Sequence, residues 1–114
     1  MLSVEAKPLV SIVTPTYEQV DFIEETIISV KNQSYPNIEH VVVDGGSGDG
    51  TKDILRDYED ICSLRWFSED DSGPAEACNK GFEAAEGELF AYLNSDDILY
   101  RDAAENAVKA MKQY

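Results

Sequence analysis

Two adjacent carboxylates, Asp96 and Asp97, follow Leu89-Phe90-Ala91-Tyr92-Leu93, the most apolar run in the chain. Neighbouring acids repel one another, and beside a low-dielectric core they cost stability unless hydrogen bonds or a cation compensate. A hard divalent ion such as Mg²⁺ or Mn²⁺ takes oxygen ligands, commonly one or two carboxylates plus phosphate oxygens of a substrate. By spacing alone the pair also reads as a cap on the next helix or as solvent-facing acids. A second candidate is the segment Asp44 to Thr51, where Gly45, Gly46, Gly48 and Gly50 could expose backbone N–H groups at a helix N-terminus. Its spacing is not that of a P-loop, because Gly50 is followed by Thr51-Lys52 in reversed order, and the dinucleotide pattern of glycines is absent. What remains is a tight strand-to-helix turn, or a turn that presents Asp44 to a ligand.

Other reactive residues carry less. Asp70-Asp71 reads as loop surface or a cap, since Ser72-Gly73-Pro74 is a helix-entry signal. His40 sits among apolar neighbours and reads as a packing or edge residue. Cys62 and Cys78 form no CxxC pattern, which argues against a zinc site or a redox pair. With one histidine, no Ser/His/Asp or Cys/His nucleophile can be assembled.

The elements that position these residues alternate. Val10 to Thr14 is a β-branched run stopped by Pro15, a first strand. Val20, Ile23, Ile27 and Val30 recur at helical spacing and predict a helix over 20–33. Ile38 and Val41 to Val43 predict a second strand covered on both faces. The glycine-rich loop opens a short helix with Ile54, Leu55 and Tyr58 inward, and Leu64 to Phe67 predicts a third strand. A third helix turns Cys78, Gly81, Phe82 and Ala85 inward and is closed by Gly87; a fourth strand covers 89–93; a last helical segment from about Arg101 carries Ala104, Ala107, Val108 and Met111. This pattern predicts a single domain over 1–114 of the α/β class, a Rossmann-like, mostly parallel sheet with flanking helices and right-handed crossovers. Ligands in such sheets bind beyond the carboxyl ends of the strands, where all the polar, glycine-rich and acidic segments of this chain fall.

Composition bounds the partners. The 114 residues carry 23 acidic against 9 basic side chains, a formal charge of -14, so a nucleic acid would be repelled at long range. A small phosphorylated ligand is still compatible, because a cation held by carboxylates inverts the local field. No apolar run approaches the length of a membrane span, the N-terminus has no signal-peptide core, and the expected setting is cytoplasmic, including the inner face of a membrane.

Five ordered motifs then give a resemblance. Pro8-Leu-Val-Ser-Ile-Val-Thr-Pro-Thr-Tyr-Glu18, Ser29-Val-Lys-Asn-Gln-Ser-Tyr-Pro-Asn37, Val43-Asp-Gly-Gly-Ser-Gly-Asp-Gly-Thr51, Asp71-Ser-Gly-Pro-Ala-Glu-Ala-Cys-Asn-Lys-Gly81 with Ala85-Glu-Gly-Glu88, and Leu93-Asn-Ser-Asp-Asp97 together resemble the start of family-two glycosyltransferases of the GT-A fold. The resemblance spans about residues 8–100 and implies the N-terminal, nucleotide-sugar-binding half of an inverting enzyme. It implies that Thr14, Pro15, Thr16, Tyr17 and Glu18 border the nucleotide base, with Tyr17 stacking near it. Asp44 would accept a hydrogen bond from the base, and Asn79 and Lys80 would lie near the ribose or diphosphate. Asn94 to Asp97 would be the family's DXD element, Asp96 towards the ribose and Asp97 on Mg²⁺ or Mn²⁺. The implied donor is a nucleoside-diphosphate sugar, UDP-linked by default. The implied acceptor is a glycan or lipid-linked acceptor in polysaccharide or cell-surface glycan synthesis. A homo-oligomer is compatible with this reading, and so is a non-catalytic nucleotide-sugar-binding module. Gly45 and Gly48 replace side chains common in the family, and no residue is assigned as catalytic base, which the family takes from its later half.

Overall fold

The computed structural model describes residues 7–70 and 73–112. Asp71 and Ser72 of the acidic stretch, and the terminal segments 1–6 and 113–114, lie outside the described residues. The elements alternate: β1 (Val10–Thr16), α1 (Ile23–Lys31), β2 (Ile38–Asp44), α2 (Thr51–Glu59), β3 (Leu64–Ser68), α3 (Pro74–Ala84), β4 (Leu89–Tyr92) and α4 (Ala103–Lys112). The four strands pair in parallel in the order β3-β2-β1-β4, the α/β architecture expected of the sequence.

Period-two alternation within the strands divides the core. Val10 and Ile12 of β1 pack with Val30 of α1 and with Ala104 and Val108 of α4. Beside them Ile23 and Ile27 of α1 pack with Val42, Leu55 of α2 and Leu64. The opposite face holds Val13, Val41, Val43 and Ala77 of α3. Gly81 lets α3 approach this closely: a Cβ there would stand 2.4 Å from Val13 Cγ1.

Several boundaries differ from the sequence reading, each for a tertiary reason. β1 runs through Pro15 to Thr16. Val13 O accepts from Leu93 N and Thr16 O from Gly45 N, so by alternation the missing N–H of Pro15 faces the β4 side. β4 pairs with β1 only as far as Val13, so no ladder bond is lost. α1 begins at Ile23, not Val20; the loop before it is held in place by Ser47 Oγ, Thr51 Oγ1 and Asp49 Oδ2, which accept from the backbone N–H groups of Glu18, Gln19 and Val20. β4 is an edge strand: Leu89 and Ala91 face the core while Phe90 and Tyr92 are 53% and 48% exposed. On α3 the buried positions are Ala77 and Gly81, with Phe82 at the rim in edge-to-face contact with Phe90. Among the described residues no helix is long and apolar enough to cross a membrane.

Candidate functional site

Strand order reverses at β1: the chain leaves it for β2 and β3 on one side and returns to β4 on the other. Loops leaving the carboxyl ends of neighbouring strands diverge at such a point and open a crevice. Here the crevice is a cleft of about 640 Å³ lined by Pro15 and Thr16 at the end of β1, Tyr17 and Gln19 after it, Gly45 after β2, Asp70, Gly73, Pro74 and Ala77 at the start of α3, and Asn94, Ser95 and Asp96 after β4.

Its first wall is held by a clamp between two loops. Asp44 is fully buried, and its carboxylate accepts from Gly46 N at 3.0 Å, Ser47 N at 2.8 Å, Ser47 Oγ at 2.6 Å and Ser68 Oγ at 2.7 Å. Ser47 Oγ in turn accepts from Glu18 N at 2.8 Å, and both Glu18 carboxylate oxygens lie 3.4 Å from Gly48 N. Glu18 adopts φ 54, a left-handed conformation costly for a residue with a Cβ and tolerated where surroundings over-determine it. The clamp leaves Tyr17 59% exposed at the cleft mouth, a flat ring available to stack. Asp49 receives Thr51 N and Thr51 Oγ1 besides Val20 N; burial alone would raise its carboxyl, but these hydrogen bonds hold it below the usual range.

Thr16 carries the chemical signal. It is 5% exposed and lines the cleft, and its hydroxyl has no hydrogen-bond partner among the described residues. Buried polar atoms are nearly always satisfied, so an orphaned hydroxyl in the wall of a cleft marks a place where a ligand supplies the partner.

On the far wall, α1 holds the acidic turn. The Thr26 hydroxyl sits between the carbonyls of Ser95 and Asp97, at 2.9 and 2.6 Å. Ser29 Oγ accepts from Leu99 N, and Gln33 ties Tyr100 O and Ala104 N. The backbone of this turn is therefore fixed while the Asp96 and Asp97 side chains stay exposed, Asp96 in the cleft lining. Among the described residues no cluster of three or more His, Cys, Asp or Glu could enclose a metal by itself. A pair of free carboxylates at a cleft rim instead fits a hard cation completed by water and substrate phosphate.

The cleft thus gathers Pro15, Thr16, Tyr17 and Asp96 of the expected site residues, with Asp97 beside them in the same turn. It does not gather the others. Thr14 is fully buried, its hydroxyl 2.8 Å from His40 Nε2. Asp44 and Glu18 act on the loops. Asn79 and Lys80 lie on α3 outside the lining, and Lys80 Nζ is paired with Glu69 at 2.9 Å and Glu76 at 3.3 Å; those carboxylates, Glu69 first, raise its pKa. Asp70, read from sequence as loop surface or a cap, lines the cleft, as does Gln19. The signal that could have found Asp70 is its position after a strand, the rule applied to the other loops.

A cleft of this kind lies at the switch point of a parallel sheet, where α/β proteins bind small ligands. The family model described as glycosyl transferase family 2 matches residues 11–114, and the chain belongs to that family. It is 44% identical over 109 residues to a putative teichuronic acid biosynthesis glycosyltransferase, TuaG, of Bacillus subtilis, covering 94% of this chain and 43% of that protein. It therefore spans less than half of that relative's length. Among solved structures it is similar to S. aureus TarS 1-349 in complex with UDP, at 28% identity and TM-score 0.87, over 92% of this chain and 32% of the other. It is also similar to the mannosyltransferase PcManGT of Pyrobaculum calidifontis in complex with GDP-Man and Mn²⁺, at 33% identity and TM-score 0.84, over the same shares. The fold is that of GT-A glycosyltransferases.

Proposed function

We propose that this chain is the donor-binding part of a metal-dependent, inverting glycosyltransferase, and that its cleft takes a nucleoside-diphosphate sugar. The observation that carries the reading is the orphaned Thr16 hydroxyl in a cleft whose other rim presents Asp96 and Asp97. The nucleoside lies along the β1 loop, with Pro15, Thr16 and Tyr17 against the base and Asp96 towards the ribose. Thr14, Glu18 and Asp44 act through the backbone of that wall, and Asn79 and Lys80 approach the phosphates from α3. Asp97 holds Mg²⁺ or Mn²⁺.

The chemistry explains the division of labour. Breaking the bond between the anomeric carbon and the diphosphate leaves negative charge on the phosphate while the sugar becomes oxocarbenium-like. A bound divalent ion supplies electrostatic stabilisation of that leaving group. The carboxylate of Asp97 holds the cation, whose positive charge offsets the repulsion between a diphosphate and a molecule of formal charge -14. One relative, named a putative teichuronic acid biosynthesis glycosyltransferase, supports an acceptor hydroxyl on a glycan or lipid-linked glycan of the cell surface.

Titrating the full chain calorimetrically with UDP should show binding that strengthens on adding Mn²⁺, and Asp97→Ala should weaken the Mn²⁺-supported binding about tenfold or more. An identical Mn²⁺ dependence in wild type and variant would remove Asp97 from the metal.

A further inference from the structure

Among the described residues two buried side-chain polar atoms lack a partner: the Thr16 hydroxyl in the cleft, and Nδ1 of His40. His40 is 3% exposed, and its other ring nitrogen, Nε2, lies 2.8 Å from Thr14 Oγ1. By alternation its side chain shares the α1 face of β2 with Val42, which packs against Ile23 and Ile27. A second cavity, of about 220 Å³, opens on that face. It lies among the last turn of α1, the start of β2 and the residues that lead into β3, and shares no lining residue with the cleft. Ile27, Val30 and Ile38 give it an apolar wall, His40 is its buried polar part, and Lys31 and Ile61 are exposed at its mouth. The less exposed polar side chains around it are otherwise satisfied: the Tyr35 hydroxyl donates to Pro8 O at 2.6 Å, the Cys62 thiol to Tyr58 O at 3.2 Å, and the Gln33 amide bonds Tyr100 O and Ala104 N. Burial holds the imidazole pKa down at about 3, so one ring nitrogen carries a hydrogen and the other a lone pair. The Thr14 hydroxyl can donate to Nε2 or accept from it, which leaves Nδ1 as a donor or an acceptor respectively.

We propose that this cavity is a second ligand site, and that it takes a neutral single-ring molecule carrying one hydroxyl, of which phenol is the simplest. The site does not depend on the nucleotide reading of the cleft. Apolar cavities of about 150 Å³ hold benzene, so this volume accommodates one ring and a substituent and is too small for a nucleotide. A hydroxyl both donates and accepts, and so serves Nδ1 in either tautomer. A carboxylate only accepts, and would carry a charge in against an apolar wall. A purely apolar ring would fill the space and leave the nitrogen without a partner. The ring and the hydroxyl thus answer two separate features of one cavity, its apolar wall and its orphaned nitrogen.

The 114 residues contain one histidine, so the imidazole ¹⁵N signals report on this cavity alone. Titrating the full, ¹⁵N-labelled, untagged chain with phenol should move the Nδ1 signal further than the Nε2 signal, saturating with a Kd of about 1 mM, the range of so small a ligand. Toluene has a methyl in place of the hydroxyl and by apolar burial alone would bind better. The orphaned nitrogen reverses that order, so phenol should bind about threefold or more tightly than toluene in competition. Cys62→Phe sets a ring into the cavity from its half-buried wall and should abolish the Nδ1 movement. Absence of saturable movement at about 20 mM phenol overturns the site. A wild-type preference for toluene overturns it too, since it would mean that water already serves Nδ1. Undiminished phenol binding by folded Cys62→Phe would place the ligand elsewhere; the two wild-type comparisons decide by themselves if that variant does not fold.

Discussion

The two ends of the sheet treat their polar groups in opposite ways. At the amino end, Glu39 is only 8% exposed, yet its carboxylate receives Ser11 Oγ and Glu86 N, each at 2.5 Å, and Arg65 at 2.8 Å. Ser11 Oγ also accepts from Gly87 N, so one network ties β1, β2, β3 and the α3–β4 connection together. Burial alone would raise the Glu39 carboxyl, but the Ser11 hydroxyl, the Glu86 N–H and Arg65 outweigh it and hold the group below its usual range. At the carboxyl end, the Thr16 hydroxyl is unpartnered and Asp70, Asp96 and Asp97 are exposed. Internal satisfaction separates them: the amino end has spent this network on the fold, whereas the carboxyl end, beside the satisfied Asp44 clamp, leaves Thr16, Asp70 and Asp96 open at the cleft.

The largest effect expected from this contrast is on stability. Glu39→Ala would leave the Ser11 hydroxyl and the Glu86 N–H without their acceptor and remove the anchor of Arg65. It should lower the unfolding free energy by about 2–3 kcal/mol, the cost of stranding buried partners. Urea denaturation measures it, and the folded variant should bind UDP and Mn²⁺ as wild type does. A loss under about 0.5 kcal/mol would show that the network does not carry the amino end.

A smaller effect belongs to His40, which lies between the two ends. Burial alone depresses its pKa from 6.5 to about 3, so it stays neutral in the folded chain. Below pH 6.5 the unfolded chain gains a proton that the folded chain refuses. Its contribution is therefore complete above pH 6.5 and shrinks as pH falls towards 3, by up to about 1.4 kcal/mol per pH unit. Glu39, also depressed in the folded state, adds its own loss only below its ordinary 4.5, so the interval between 6.5 and 4.5 isolates the histidine. Unfolding measured across that interval should slope less in His40→Gln than in wild type; equal slopes would mean that His40 is protonated in the folded chain.

The sequence made the comparison partly visible. Alternating apolar periodicity is local, so four strands, four helices and the set of strand-end loops could be read, along with Asp96 at the cleft. Where polar groups are spent is not local. Asp44 and Asp70 are both aspartates at the carboxyl end of a strand; they differ in the donors that Ser47 and Ser68 bring to one and not to the other. The Asp44-x-x-Ser47 spacing, an arrangement in which a side chain caps its own turn, was the available hint. Thr14 and Thr16 share one face of β1, and only the packing of His40 under the first and the opening of the cleft beside the second tell them apart. The start of α1 was unreadable for the same reason, since the loop before it is held by side chains twenty-nine to thirty-two residues ahead.

The smallest expected effect is the most discriminating. Thr16→Val keeps the shape of the side chain and deletes a hydroxyl that is buried without a partner. In an amino-end residue such as Ser11 a comparable deletion would break a hydrogen bond and cost stability. At Thr16 there is no bond to break, so the desolvation penalty disappears and the unfolding free energy should stay level or rise by up to about 1 kcal/mol. Affinity for UDP should fall at the same time, because the partner that the ligand would have supplied has no group left to meet. Thermal melting and calorimetry on the same sample separate the two signs. A variant that is less stable than wild type would place an internal partner on the Thr16 hydroxyl, and one that binds UDP undiminished would remove the hydroxyl from the site.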